Sequence, residues 1–151
     1  RSVLVVLDNR STAMTGHQDN PGTGKTLMGE PTTAVSVEAV GRACGMKNVV
    51  TVNPYDLKAT GEAVDAALAS EETSLIVARA PCPLRERTRV GPRREIDPAA
   101  CKNCKACLKL GCPAIESASK ADKPSISGEL CAGCGLCDQV CKFGAIRTVA
   151  E

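Results

Sequence analysis

Eight of the ten cysteines in this 151-residue chain fall into two runs of one form, Cys101-x2-Cys104-x2-Cys107-x4-Cys112-Pro113 and Cys131-x2-Cys134-x2-Cys137-x3-Cys141. No other feature constrains the fold as strongly. Three thiolates at steps of three residues can wrap three corners of a four-iron, four-sulfur cube, and a fourth must come from farther along the chain. The runs therefore predict a small unit built around two inorganic clusters. A unit of roughly 55 residues buries too little apolar surface to be secure on that alone. Cluster assembly is expected to supply much of its folding free energy.

Two other uses of cysteine compete with this one. Zinc favours paired C-x2-C knuckles or mixed Cys/His sets around one tetrahedral ion, and each triad would leave it an unexplained third thiolate. Disulfide frameworks rarely place cysteines three apart at this density. In two-cluster ferredoxins the trailing cysteine of each run ligates the other run's cluster. On that pattern Cys101, Cys104 and Cys107 share a cluster with Cys141, while Cys131, Cys134 and Cys137 share one with Cys112. Cys44 and Cys82 lie outside the pattern and receive no role.

Charge and composition narrow the function classes. A formal charge of +2, one tyrosine, one phenylalanine and no tryptophan supply neither the basic field nor the stacking platforms of a nucleic-acid binder. No apolar run approaches the roughly 20 residues of a membrane span. So many thiols suit a reducing cytoplasm and an anaerobic habit. The cysteines crowd into the last third, which argues for two domains. An N-terminal residue of Arg1 directly before an apolar strand suggests a piece of a longer polypeptide.

The remainder of the chain alternates in period. Residues 2–7 (SVLVVL) form an apolar run of the kind found in strands covered on both faces. Residues 8–30 are a long polar stretch, and loops of that length inside a compact domain are usually functional. Ser36 caps a helix through Val37, Val40 and Ala43 that Gly45 closes. Residues 48–52 read as a strand, Asp56 caps a helix to about Ser70, and residues 75–79 read as a third strand. The order β, loop, α, β, α, β predicts parallel strands with right-handed crossovers, half of a doubly wound α/β sheet. The expected domains are residues 1–80, a Pro/Arg-rich linker at 81–93, and a small α+β cluster domain at 94–151. Residues 81–98 read as an extended, solvated connector whose basic set Arg85, Arg87, Arg89, Arg93 and Arg94 either aids solubility or docks an acidic carrier. The last domain repeats internally: Ile96 precedes Cys101 by the interval at which Ile126 precedes Cys131, and the motifs end in Ala114-Ile115 and Ala145-Ile146. Two hairpins are expected, Ile96 with Ile146 and Ile115 with Ile126.

The residues from Leu7-Asp8-Asn9-Arg10-Ser11-Thr12 through Thr15-Gly16-His17-Gln18, then Pro21-Gly22-Thr23-Gly24, then the double cysteine motif give the chain a resemblance to the C-terminal end of the alpha subunit of indolepyruvate ferredoxin oxidoreductases. The resemblance covers nearly the whole chain but only the tail of that long subunit. It implies that Asp8 and Asn9 close a thiamine diphosphate motif, with the Asn9 side chain and the Ser11 backbone carbonyl on Mg²⁺. It further implies Thr15 and Gly16 in the diphosphate loop and His17 in the loop or toward substrate, with no catalytic residue in this segment. The implied activity is oxidative decarboxylation of a 2-oxo acid, an aryl pyruvate such as indolepyruvate, to an acyl-coenzyme A. Electrons would leave through two [4Fe-4S] clusters to external ferredoxin, and a second, smaller subunit would complete the enzyme. Alternatives are a non-catalytic ferredoxin-like module fused to a remnant α/β domain, and a zinc-binding interaction protein. Two departures stand out. The first run has an extra residue before Cys112, tolerable if Gly111 absorbs the turn. Lys142 replaces the usual proline after Cys141, adding an N–H donor and a positive charge that should favour the reduced cluster.

Overall fold

The computed structural model describes residues 1–149; the last two residues of the expected cluster domain, 150 and 151, lie outside the described residues. The chain divides into two compact units between Glu86 and Arg87, inside the stretch read as a connector.

In the first unit β1 (Val3–Asp8), β2 (Asn48–Val52) and β3 (Ser74–Arg79) form a parallel sheet in the order β1-β3-β2. The chain moves two places across the sheet through α1 (Val37–Ala43) and returns one place through α2 (Leu57–Ala69). With right-handed crossovers, that reversal puts the two helices on opposite faces. Ser36 Oγ accepts from the Ala39 amide and Asp56 Oδ1 from the Ala59 amide, so both caps sit where the sequence predicts them. On the α2 face Ile76 and Ala78 pack with Val52, Ala67, Ala63 and Val64. On the α1 face the helix comes so close that a Cβ on Gly41 would lie 2.4 Å from Leu75 Cδ2.

Only β3 is covered on both sides: Leu75, Ile76 and Val77 are at most 2 % exposed. The expectation that residues 2–7 form a doubly covered strand is corrected. β1 is an edge strand in this chain and its Leu4, Val5 and Leu7 are exposed, because α1 and α2 lie mainly over β2 and β3.

The second unit is built from two short antiparallel hairpins and the cysteine runs. β4 (Arg94–Ile96) pairs with β7 (Ile146–Thr148), placing Ile96 opposite Ile146. β5 (Ile115–Glu116) pairs with β6 (Ser125–Ile126), placing Ile115 opposite Ile126. These are the pairs expected from the repeat. Ile115, Cys137 and Ile146 form its buried core, joined by Ile96, Leu108, Leu110 and Ile126. A 3₁₀ turn over Ala106–Leu110 carries the last cysteine of the first triad, Cys107, and α4 (Leu136–Val140) carries Cys137 in the matching place of the second. Gly111 takes the left-handed conformation at φ 64° after the extra residue, as anticipated.

The connector is less extended than expected. Pro83–Glu86 makes a helical turn, α3, and Arg94 already belongs to β4. Among the described residues no helix is long and apolar enough to cross a membrane.

Candidate cofactor sites

The cysteine runs enclose two cavities. The first is lined by Cys101, Cys104, Cys107 and Cys141 with Ile96, Pro124, Phe143 and Ile146. The second is lined by Cys112, Cys131, Cys134 and Cys137 with Arg94, Leu110, Ile115, Ile126, Leu130 and Leu136. Each cavity therefore gathers three thiols from one run and the trailing thiol of the other. Among the described residues no three His, Cys, Asp or Glu side chains converge closely enough to hold one metal ion. A tetrahedral zinc ion needs its sulfurs about 2.3 Å away, whereas a cube holds its thiolates apart on four corners. Thiols spread around a cavity fit the second geometry.

Backbone conformation explains the wrapping. Asn103 and Gly133 (φ 55° and 72°) precede the middle cysteine of each triad, and Lys105 and Gly135 (φ 61° and 73°) follow it. Left-handed residues on both sides turn the chain around that cysteine. Asparagine visits this region readily, but lysine does so at a cost. Lys105 is held there by its Nζ, which donates to Ser117 Oγ at 2.7 Å and to the carbonyls of Ser119 and Asp122. Gly133 has a second reason to be glycine, since a Cβ there would lie 1.9 Å from the Gly91 carbonyl oxygen.

Backbone amides point at three sulfurs: Asn103 N to Cys101 at 3.4 Å, Arg94 N to Cys131 at 3.5 Å and Ala145 N to Cys141 at 3.4 Å. Such donors favour negative charge on sulfur. Without a metal, burial, followed by the neighbouring Asp138 carboxylate, pushes the Cys137 thiol up to about 12. Burial likewise raises Cys107. A positive metal centre reverses that preference by taking the thiols as thiolates.

Sequence reading missed one feature of this site. Arg94 Nε donates to Asp138 Oδ2 at 2.6 Å, across the wall of the second cavity. The 30-residue repeat that aligns Cys101 with Cys131 also aligns Arg94 with Pro124, which lines the first cavity. At this position the second sulfur set gains the Arg94 amide and guanidinium, whereas Pro124 offers the first set no N–H donor.

The other candidate site lies beyond the carboxyl end of β1, where open α/β sheets place ligands. Asp8 and Arg79 are register partners on neighbouring strands. Arg79 bridges two carboxylates, Asp8 Oδ2 at 2.7 Å and Glu38 Oε1 at 2.8 Å, and Thr51 Oγ1 donates to the same Glu38 oxygen at 2.7 Å. Burial opposes ionisation of Asp8, but the Arg79 hydrogen bond, the Arg10 amide and both guanidinium charges hold it below the ordinary carboxylate value. Hydrogen bonds from Arg79 and then Thr51 hold Glu38 far below that value. The clamp anchors the turn that follows. Asn9 Oδ1 accepts from the Ser11 amide at 3.0 Å, and the Asn9 carbonyl accepts from the Cys82 amide at 3.1 Å. Arg10 takes φ 58° and its guanidinium donates to the Gly22 carbonyl at 3.0 Å. Ser11 Oγ is buried without a hydrogen-bond partner. An orphaned buried oxygen beside the Asn9 amide fits a site for a cation or a phosphate.

The rest of the loop doubles back on itself. Thr12 and Gln18 exchange backbone hydrogen bonds at 2.9 and 3.1 Å, and Gly16 and His17 make the turn with positive φ. Thr15 Oγ1 donates to the Gln18 side chain, whose Nε2 donates to the Thr15 carbonyl at 2.6 Å. Thr15 and Gly16 are exposed and His17 is half-buried. Arg85, expected to be solvated, instead donates to the Arg10 carbonyl at 2.7 Å and to Asp19 at 2.6 Å. Two members of the basic set, Arg85 and Arg94, thus hold the fold together rather than face solvent.

Comparisons with known proteins bear on both units. The family "Thiamine pyrophosphate enzyme, C-terminal TPP binding domain" matches residues 1–78, and "4Fe-4S binding domain" matches residues 124–147. Relatives named "Indolepyruvate oxidoreductase subunit IorA" are 41 % identical in Pyrococcus horikoshii (99 % of this chain, 24 % of the relative) and 41 % identical in Methanothermobacter marburgensis (97 % and 24 %). A third, from Archaeoglobus fulgidus, is 36 % identical over 96 % of this chain. The chain thus spans about a quarter of the length of the curated relatives it matches. No solved structure matches it significantly. With a sheet-end loop of the right kind at its start and two thiol-lined cavities at its end, the chain belongs to the thiamine pyrophosphate enzyme family, carrying the C-terminal cofactor-binding domain followed by a 4Fe-4S binding domain.

Proposed function

We propose that this chain is the cofactor-anchoring and electron-exit part of a 2-oxo acid:ferredoxin oxidoreductase acting on an aryl pyruvate, indolepyruvate being the substrate named for its relatives. The observation that supports this most strongly is one chain placing a sheet-end Asp-Asn turn in one unit and two four-thiol cavities in the other. In this reading Cys101, Cys104, Cys107 and Cys141 hold one [4Fe-4S] cluster and Cys112, Cys131, Cys134 and Cys137 hold the second. Asn9, through its side-chain oxygen, and Ser11, through its backbone carbonyl, would hold Mg²⁺, which would supply positive charge for the cofactor's diphosphate. Thr15, Gly16 and His17 cover that end of the cofactor. When bound, thiamine diphosphate supplies the carbanion chemistry of decarboxylation. The chain's own residues do the positioning: Arg79 fixes Asp8 and with it the direction of Asn9, and Arg85 ties down the far side of the same turn. Coenzyme A, a smaller second subunit and an external ferredoxin complete the reaction in a reducing cytoplasm, a setting consistent with the ten free thiols.

The test uses the full-length protein with its partner subunit, purified without oxygen. It should contain about eight iron and eight acid-labile sulfide atoms per chain, four of each per cube. It should also reduce ferredoxin only when indolepyruvate, coenzyme A and thiamine diphosphate are all present. Asn9→Ala should abolish that reduction and weaken thiamine diphosphate binding while leaving iron content unchanged. Iron-free protein containing zinc, or unaltered cofactor affinity in Asn9→Ala, would overturn the reading.

A further inference from the structure

The two thiol cavities differ at their openings. Cys104, in the first, is exposed, whereas Cys131 and Cys137 of the second are buried. Lys102 and the half-exposed Phe143 line the first cavity, and the exposed Lys142 lies between Cys141 and Phe143 in the chain. Among the described residues no acidic side chain lines this cavity, and neither Lys102 nor Lys142 makes an ion pair. The second cavity is walled mainly by apolar side chains, and Arg94, the one charged residue on its lining among the described residues, is paired with Asp138.

We propose that an acidic one-electron carrier protein docks over Cys104, with Phe143 at the centre of the contact and Lys102 and Lys142 at its rim. Electrons would leave through the cluster of Cys101, Cys104, Cys107 and Cys141, making the other cluster the inner relay. This rests on the cluster assignment proposed above and adds the partner's chemistry and the direction of flow. An exposed aromatic within a basic rim has the make-up of a protein interface, a desolvated apolar centre with charge at the edge. Unpaired lysines raise the encounter rate with an acidic partner, and the exposed thiol gives that partner the shortest approach to a cluster. In each encounter one electron leaves the chain and one ferric ion of the carrier becomes ferrous. No bond is made and no proton moves. Oxidation of one 2-oxo acid releases two electrons and so requires two encounters. Of the arginines between residues 81 and 98, Arg85 and Arg94 do not contribute to this surface, since they are committed to Asp19 and Asp138.

The proposal is tested by stopped-flow mixing of the full-length holoenzyme, reduced with stoichiometric dithionite, against an acidic two-iron ferredoxin or, separately, the cationic dye benzyl viologen. Because dithionite supplies the electrons, the result does not depend on 2-oxo acid oxidation, whose absence would be seen separately. Lys102→Glu with Lys142→Glu should slow reduction of the ferredoxin by roughly tenfold or more at low salt, with the loss shrinking at high salt. The viologen rate should hold or rise. Lys102→Gln with Lys142→Gln should give a smaller loss in the same direction, and Lys58→Glu, an exposed change on α2, should give none. Ferredoxin rates unchanged in both lysine variants, or equal losses with both acceptors, would overturn the proposal.

Discussion

Arg79 joins the end of β3 to the residue before Asn9 and to the first turn of α1 through two carboxylates. Both carboxylates are held below their ordinary values. Their contribution to stability is therefore complete above the unfolded value of roughly 4 and is lost as pH falls through the folded values. Arg79→Met should be less stable than wild type at neutral pH, and the difference should shrink as pH drops below about 4. Urea unfolding across a pH series would show it; a gap that stays constant down to pH 2 would contradict the role given to this pair. At the second cavity, Arg94 and Asp138 make opposite predictions about one cluster. Arg94→Gln leaves a carboxylate unbalanced beside Cys137 and should lower that cluster's potential, while Asp138→Asn should raise it. Redox titration followed by electron paramagnetic resonance should show the two shifts with opposite sign on one of the two signals. Shifts of the same sign would rule the pair out as a balanced charge. Neither pair could be found by local pattern, because its partners are 71 and 44 residues apart.

At the scale of elements, the limits of β1, β2, β3, α1 and α2 were legible, since each rests on short-range chemistry, while α3 and α4 were not. Ser36 and Asp56 cap because their oxygens reach amides three residues on, and the hairpins were visible because the repeat places isoleucines symmetrically. The connector was misread because proline and arginine content signals extended chain, while the helical turn at Pro83–Glu86 answers to Asp19 and the Arg10 carbonyl. Close approach between elements is likewise invisible in one dimension. Gly41→Ala forces a methyl into the buried Leu75 and should cost about 1–3 kcal/mol as α1 is pushed off the sheet. Gly133→Ala meets the Gly91 backbone and adds left-handed strain of about 1–2 kcal/mol, so it should reduce iron retention as well as stability. Thermal unfolding and iron content of the purified variants separate the effects: Gly41→Ala should keep its iron and Gly133→Ala should lose part of it.

For the molecule as a whole, the two units draw on different sources of stability. The first has a sheet whose central strand is buried on both faces. The second has a small core in which cysteines are themselves core residues. Chelating iron from the full-length protein should raise hydrogen exchange throughout residues 87–149 and leave β3 protected. Equal protection of both regions after iron removal would show that burial alone supports the second unit. The repeated cysteine triads and the α/β alternation could be read from the chain because they depend on spacing along it: a thiol every third residue must curl around something, and an apolar run between capped helices must be a strand. Which charges are free and which are committed, that β1 leaves Leu4, Val5 and Leu7 exposed, and that Ser11 Oγ lies buried beside Asn9 were decided only on folding. Each of those outcomes depends on groups distant in sequence meeting in space, where burial and low dielectric give a single charge or hydroxyl an energy that its place in the chain does not reveal.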